Sequence, residues 1–256
     1  MRLWITRFAF ITLLAVAATA GAINVGTDII VPAAARGAGV GGSTWVTDLY
    51  IFNTGTEDAE VTVYWMVRNQ ANPAPTSEVF TVAAGAVLVL EDVVLGTFSL
   101  DSGNGAFRVT SDQVVMVNSR IYNLQDTVTF GQGFAGVPAG DAVSAGGSTD
   151  IVGLSHNDSF RTNVVLMDAS GVASTVELSL RDVIGTQLAS ASYDLEAYEP
   201  RLFPITDLGA SLTFDDATLH VEVSNGAALI VASKVDNDPD TGDPTTLEAW
   251  RSGGGA

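Results

Sequence analysis

Three blocks of strand-like sequence occur twice in this chain, and that duplication limits the folds open to it more than any other feature. WVTDLYIFNTGTEDAEVTVYW at 45–65 sets against FRTNVVLMDASGVASTVELSL at 160–180, an offset of 115. LVLEDVVLG ending at Gly96 sets against RLFPITDLG ending at Gly209, an offset of 113. AFRVTSDQVVMVNSRIYN at 106–123 sets against HVEVSNGAALIVASKVDN at 220–237, an offset of 114. Few residues are identical, but the classes agree: Trp45 with Phe160, Thr47 with Thr162, Asp48 with Asn163, Ile51 with Leu166 and Val61 with Val176. A unit of this length is a whole domain rather than one turn of a solenoid.

Within each unit the hydrophobic period is two. In Glu60–Arg68, Val61, Val63, Trp65 and Val67 point one way, while Thr62, Tyr64, Met66 and Arg68 point the other, the pattern of a half-buried strand. Strands are also predicted over 44–53, 79–83, 86–94, 106–111, 113–123 and 127–134. In the second unit they fall at 150–154, 160–168, 174–182, 187–195, 201–206, 217–224, 227–237 and 245–250. Gly, Asn, Asp and Pro clusters separate them, and no long amphipathic helical stripe is present. The pattern predicts an all-β chain of two tandem immunoglobulin-like β-sandwich domains after an N-terminal signal peptide. The expected bounds are 1–22 for the signal peptide, 23–136 and 149–256 for the sandwiches, and 137–148 for a Gly/Ala/Ser-rich linker. A single outer-membrane barrel is the competing fold, and the duplication and the loss of patterning at 137–148 speak against it.

Alternation also assigns faces. Val115, Val117, Ser119 and Ile121 share a side, with Leu229, Val231, Ser233 and Val235 as their counterparts, and both sets are expected in the core. The 44–53 strand is apolar on both sides. Tyr50 and Phe52, like their counterparts Val165 and Met167, therefore predict a face covered within the sandwich or where the two domains meet, or else an exposed strip that marks a partner site.

Residues 1–22 read as an export signal. Arg2 and Arg7 form a basic start, Phe8 to Val16 an apolar stretch, and Ala18-Thr19-Ala20 and Ala20-Gly21-Ala22 two small-residue cleavage sites. Cleavage is expected after Ala20 or Ala22, leaving a secreted or periplasmic chain. The apolar stretch falls short of the roughly 20 residues that span a bilayer, and no later run reaches that length, so no membrane span is expected in the mature chain.

A hydrophobic fraction of 47 % against 16 % charged residues can fill a core and excludes wholesale disorder. There are 29 acids and 11 bases, for a net charge of −18, and removing Arg2 and Arg7 makes the mature chain more acidic still. Such a field repels polyphosphate, so nucleic acid is not an expected partner, whereas an extracellular protein or polysaccharide is. Cysteine is absent, which removes thiol nucleophiles and thiolate metal sites.

For chemistry, Asp236, Asp238, Asp240 and Asp243 crowd into DNDPDTGD. Carboxylates at this spacing can converge on Ca²⁺, the one cofactor the sequence raises. Gly242 is one place late for an EF-hand loop, Leu247 stands where its bidentate Glu belongs, and an acidic hairpin turn fits the same residues. Ser155, His156 and Asp158 are neighbours in one turn, whereas a catalytic triad is assembled from separate elements. The acid pairs Glu91–Asp92 and Asp215–Asp216 diverge on a strand or sit in a turn. His220 shares a face with Glu222, away from Val221 and Val223. Tyr50, Phe52, Tyr64 and Tyr122 are the candidate ligand face, since planar aromatics on a sandwich can hold a sugar. Trp65 points inward, and Trp45 has Phe160 as its packing counterpart.

GGSTWVTDLYIFNTG at 41–55, SRIYN at 119–123, FGQGFAGVPAGDA at 130–142, FRTNVVLMD at 160–168 and VDNDPDTGDP at 235–244 resemble the tandem β-sandwich repeats of secreted proteins from Acidobacteria-like bacteria. The resemblance covers nearly the whole mature chain and implies export and fold but no activity. Val46 departs from it where an arginine is typical, and Arg161 keeps it. The expected function is a non-catalytic secreted structural or interaction protein, adhesion-like rather than an enzyme. The alternatives are a calcium-assisted carbohydrate-binding module and, third, a hydrolase.

Overall fold

The β-branched and aromatic runs pair as antiparallel strands in a computed structural model that describes residues 24–39, 44–125, 128–209, 211–238 and 242–249. The expected signal peptide lies outside the described residues. The first half contains β1 (Val25–Ala38), β2 (Thr44–Asn53), β3 (Ala59–Val67), β4 (Thr76–Val82), β5 (Val87–Leu90), a single helical turn α1 (Val93–Gly96), β6 (Gly103–Gln125) and β7 (Val128–Ala135). Two short strands follow, β8 (Val137–Pro138) and β9 (Val143–Ser144). The second half contains β10 (Ser148–His156), β11 (Phe160–Asp168), β12 (Ala173–Arg181), β13 (Gln187–Glu196), β14 (Pro200–Pro204), β15 (Phe214–Asn225), β16 (Ala227–Asp236) and β17 (Pro244–Glu248). The chain is thus nearly all-β, arranged as sandwich-like sheets.

In the first half, the 23-residue β6 serves both layers. Its start pairs with β3 and β1, and β4 extends that layer beyond β3. Its end pairs with β2 and β7, and β5 extends that layer beyond β2. Leu49, Ile51, Val61, Val63, Phe107 and Val117 fill the space between them. Trp65 points inward against Phe107 and Phe98, with ring centroids 5.2 and 6.2 Å away.

The second half pairs its strands in the same order. One layer runs β10-β15-β12-β13 and the other β14-β11-β16-β17. Here the long strand is broken into β15 and β16 at Gly226, which takes φ 71°. A Cβ at Gly226 would run into the Ala173 carbonyl oxygen. The break also adds a residue. Val61 pairs with Ser111 and Asn53 with Val115, whereas Val176 pairs with Val223 and Asp168 with Ala228. Three residues separate the two registers in the first half and four in the second.

One extra residue turns every later side chain to the opposite face. The expectation that Leu229, Val231, Ser233 and Val235 fill the second core is therefore corrected: Ala228, Ile230 and Ala232 do so. Leu229 and Val231 are buried as well, but against the first half.

β1 is absent from the predicted strands. Its Pro-Ala-Ala-Ala centre lacks β-branched residues, and its pairing skips from Val31 to Ala34 in a bulge, where a proline is tolerated. The segment 137–148, expected as a linker, is built into both halves. β8 pairs with β1, β9 pairs with β16, and a 3-10 turn at Ala139–Asp141 lies between. Its small residues lower the strand signal. Among the described residues, no helix is long and apolar enough to cross a membrane.

Candidate functional site

The acidic run closes the β16–β17 hairpin. The Asp236 amide donates to the Asp243 carbonyl at 3.0 Å, and Gly242 donates to the Asp238 carbonyl at 2.9 Å. The Asp236 carboxylate accepts the Asp238 amide at 2.9 Å, an Asx turn. Asn237 ties this hairpin to the preceding loop through the carbonyls of Asn157 and Asp158, and Arg161 donates to its Oδ1 at 2.7 Å. Asp240 lies outside the described residues. Among the described residues, no three His, Cys, Asp or Glu side chains are grouped to hold a metal ion.

Of the four aromatics expected on a ligand face, the fold brings three together. Tyr50, Phe52 and Tyr122 lie on the outer face of the β2–β6 layer, because Val46 pairs with Tyr122 and residues 46, 48, 50 and 52 share a side. Asp48 sits between the two phenols and is nearly buried, at 7 % exposure. Its Oδ2 accepts the Tyr50 hydroxyl at 3.3 Å and its Oδ1 the Asp92 amide at 2.9 Å. Burial pushes the Tyr122 hydroxyl up to about 12, helped by the charge of Asp48 and a hydrogen bond to it. Tyr50 is raised by the same causes in the same order. Both phenols are therefore neutral donors at ordinary pH and not nucleophiles. The Arg120 guanidinium lies over the Tyr122 ring, 4.6 Å from its centroid. Tyr64 departs from this face. It packs in the cluster between the halves, where Arg108 lies over the rings of both Tyr64 and Tyr198.

The residues that could carry hydrolysis are not brought together. Ser155 Oγ accepts the Asp216 amide at 3.2 Å, and the His156 ring lies near Phe214, its Nδ1 without a hydrogen-bond partner among the described residues. Asp158 is exposed. Asp92 holds Arg36 through both carboxylate oxygens, at 3.1 and 3.0 Å, while Glu91 is exposed. Asp215 accepts Asn157 Nδ2, and Asp216 stands 3.9 Å from Lys234. His220 bridges Asp150 at 2.9 Å and Glu222 at 3.3 Å on the outer face of its sheet.

The joint between the halves is where the two-sided apolar strand of the second half is covered, one of the alternatives the sequence left open. Val165 and Met167, on the outer face of β11, are 3 % and 0 % exposed because the first half covers them. Asn69 donates to the Pro200 carbonyl and Asn72 to the Ala197 carbonyl, both at 2.8 Å. Gln132 donates to Ser233 Oγ at 2.9 Å, and Thr246 to the Gly133 carbonyl at 2.7 Å. A cavity of about 120 Å³ remains in this joint, between the Pro32–Ala35 bulge, Ile121 and Gln132 on one side and Asn163, Val165 and Leu202 on the other.

The second half carries an open cleft of about 370 Å³ at the matching place, lined by Gly153, Phe160, Lys234, Asp236, Thr245 and Leu247. The registers define the match. Thr47 donates to the Ala35 carbonyl and Thr162 to the Ser155 carbonyl. Thr47 pairs with Ile121 and Thr162 with Lys234. Ile121 then pairs with Gln132, and Lys234 with Thr245. The two-sided apolar pattern of the 44–53 and 160–168 strands was the one sequence signal that pointed here.

No family model matches the chain, and no curated protein does. Among solved structures, one titled "Crystal Structure of Thermotoga maritima 1070" aligns over 44 % of this chain and 93 % of its own, at 15 % identity and a TM-score of 0.36. That likeness is too slight to carry an argument.

Proposed function

We propose that this chain is an exported, non-catalytic structural or interaction protein built from two diverged copies of one immunoglobulin-like sandwich unit. The first 22 residues are its signal peptide, removed after Ala20 or Ala22, and the chain belongs with the secreted tandem repeats it resembles. The strand that serves both layers departs from the immunoglobulin sandwich, in which each strand belongs to one of two sheets. The observation that carries the functional reading is the joint. One sheet face, with Val165 and Met167 at its centre, serves as a protein-contact surface, while Asp92, Asp236 and His220 are held in ion pairs, a turn and side-chain contacts. The test is turnover of common polysaccharides and peptides by the mature chain. No turnover is expected, and an activity abolished by one carboxylate substitution overturns the reading.

A second reading, a calcium-assisted carbohydrate-binding module, draws on Tyr50 and Tyr122 flanking Asp48 and on the acids of 236–243. Glycan binding that Tyr50→Ala abolishes would support it. A ligand held only by the folded state raises the melting temperature, so melts with Ca²⁺ and with EDTA test the ion. An equal melting temperature in both removes calcium from this reading.

A further inference from the structure

The second half covers the outer face of its β14–β11–β16 layer with the first half, while the first half leaves Tyr50, Val87 and Val89 of its own corresponding face exposed. Val165 pairs with Leu202 as Tyr50 pairs with Val89, and Met167 pairs with Pro200 as Phe52 pairs with Val87. Val165 and Met167 are 3 % and 0 % exposed, while their matches Tyr50 and Phe52 are 36 % exposed and half-buried; Val87 and Val89, which match the buried Pro200 and half-buried Leu202, are 54 % and 48 % exposed.

The receiving surface is doubled in the same way. In the first half it consists of the β1 bulge at Pro32–Ala35, Ile121, Gln132 and the turn after β3. In the second half the same places hold a β10 bulge at Val152–Leu154, Lys234, Thr245 and the turn after β12. That second surface is open. Val152, Val183 and Ile184 are 64 %, 72 % and 84 % exposed. Six of the fourteen exposed large apolar side chains among the described residues fall on these two surfaces, a concentration that a solvated surface does not require.

We propose that the two surfaces meet between molecules. The β5–β2–β6 face of one copy docks on the bulge and hairpin-turn end of the next copy's second half, as the second half docks on the first within each chain. The charges agree with this. The internal joint sets Asn163 and Ile121 around one cavity, and the same positions between copies are Asp48, 7 % exposed beside Tyr50, and Lys234, half-buried over Phe160, of opposite charge. Complementary charge of this kind fixes register and partner choice. The two surfaces differ, so the contact is heterologous and copies add head to tail, as a ring if the rotation closes and otherwise as a filament. The net charge of −18 opposes approach at low salt. At about 0.15 M salt the Debye length is about 8 Å, and the contact surfaces decide. This assembly rests on the non-catalytic interaction reading and names its partner as a second copy of the chain.

The absence of cysteine makes a clean test available. Within the chain, the Asn69 amide lies 2.8 Å from the Pro200 carbonyl. Ile184 and Val87 occupy the matching places, so across copies their Cα atoms come within the roughly 7 Å that a disulfide can bridge. Val87→Cys and Ile184→Cys are made separately in the mature chain and oxidised alone and as an equimolar mixture. At least tenfold more cross-linked dimer is expected in the mixture than in either variant alone.

In sedimentation, the mass of the wild type rises with concentration. Val87→Glu and Ile184→Glu are each monomeric, and their mixture stops at a one-to-one complex, because each variant keeps one intact surface. Both positions are solvent-exposed, so the variants fold. A wild type that stays monomeric at millimolar concentration, or equal cross-linking in all three oxidations, overturns the assembly. Neither result touches the non-catalytic reading, which falls only to carboxylate-dependent turnover.

Discussion

Asp168→Asn replaces one atom in the second half and leaves the shape of the side chain unchanged. Asp168 is fully buried at the end of β11. Its Oδ2 accepts the amides of Gly171 at 2.9 Å and Tyr198 at 2.8 Å. Its Oδ1 accepts the Ser170 hydroxyl at 2.6 Å, the Ser170 amide at 3.2 Å and the Ser174 hydroxyl. Every neighbour is a donor, so an Asn NH₂ must point at one of these groups. The lower-cost orientation aims it at the two serines, whose hydroxyls can rotate, and leaves the Ser170 amide without an acceptor. Losing one charge-assisted bond and stranding one donor costs about 2–3 kcal/mol, and Asp168→Ala, which strands them all, costs about 4 kcal/mol.

The first half contains the reciprocal case. Asn53, at the matching place, donates to the carbonyls of Glu57 at 2.8 Å and Val82 at 2.9 Å. Asn53→Asp would set a carboxylate against two carbonyl oxygens and is expected to cost about 3 kcal/mol. The assay is urea unfolding followed by far-UV circular dichroism. With m near 2–3 kcal/mol/M, Asp168→Asn lowers the midpoint by about 1 M. A midpoint change equivalent to less than about 0.5 kcal/mol would refute the all-donor account of this corner.

Gly226→Ala should lower stability by about 3 kcal/mol, because φ 71° and the Ala173 carbonyl both exclude a Cβ. Gly140→Ala, where a Cβ meets nothing within 4 Å, is the control and should leave the thermal midpoint in place. Met167→Ala should cost about 3 kcal/mol through loss of joint packing, whereas Val87→Ala, at an exposed position on the corresponding face of the first half, should stay within about 0.5 kcal/mol; equal effects in a denaturation series would contradict the covered-face assignment. Tyr122 should ionise near pH 12 in an ultraviolet titration, a step that Tyr122→Phe removes and Asp48→Asn moves down. The raised pKa means that the fold favours the neutral phenol. This contribution is intact below the unfolded value near 10 and is lost as pH rises through about 12.

The secondary structure was largely legible because period-two alternation is a local property. The strand predicted over 44–53 is β2 itself, and the one predicted over 160–168 is β11. The strand over 86–94 was only partly right, since β5 ends at Leu90 and α1 begins at Val93. β1 and the 137–148 segment were illegible for one reason: their alanines and glycines carry no strand signal, and their pairing is with distant strands. Among the aromatics, Tyr50, Phe52 and Tyr122 share one sheet face. Tyr64 does not, because a strand's outer face can be covered by another part of the chain.

By itself, the sequence determined the all-β character, the matched order of blocks in the two halves and the inward Trp65. Each of these follows from residue class and spacing along one strand or between aligned strands. Only the tertiary structure decided which side of β16 faces which core. A single inserted residue around Gly226 reverses every later side chain, and alignment by residue class cannot see an insertion of one among similar apolar residues. Only the tertiary structure decided, too, that the outer face of the two-sided apolar strand is covered by the other half of the molecule in the second unit and not in the first. The sequence of the two strands is alike on that face, and burial there depends on where the other half of the molecule sits.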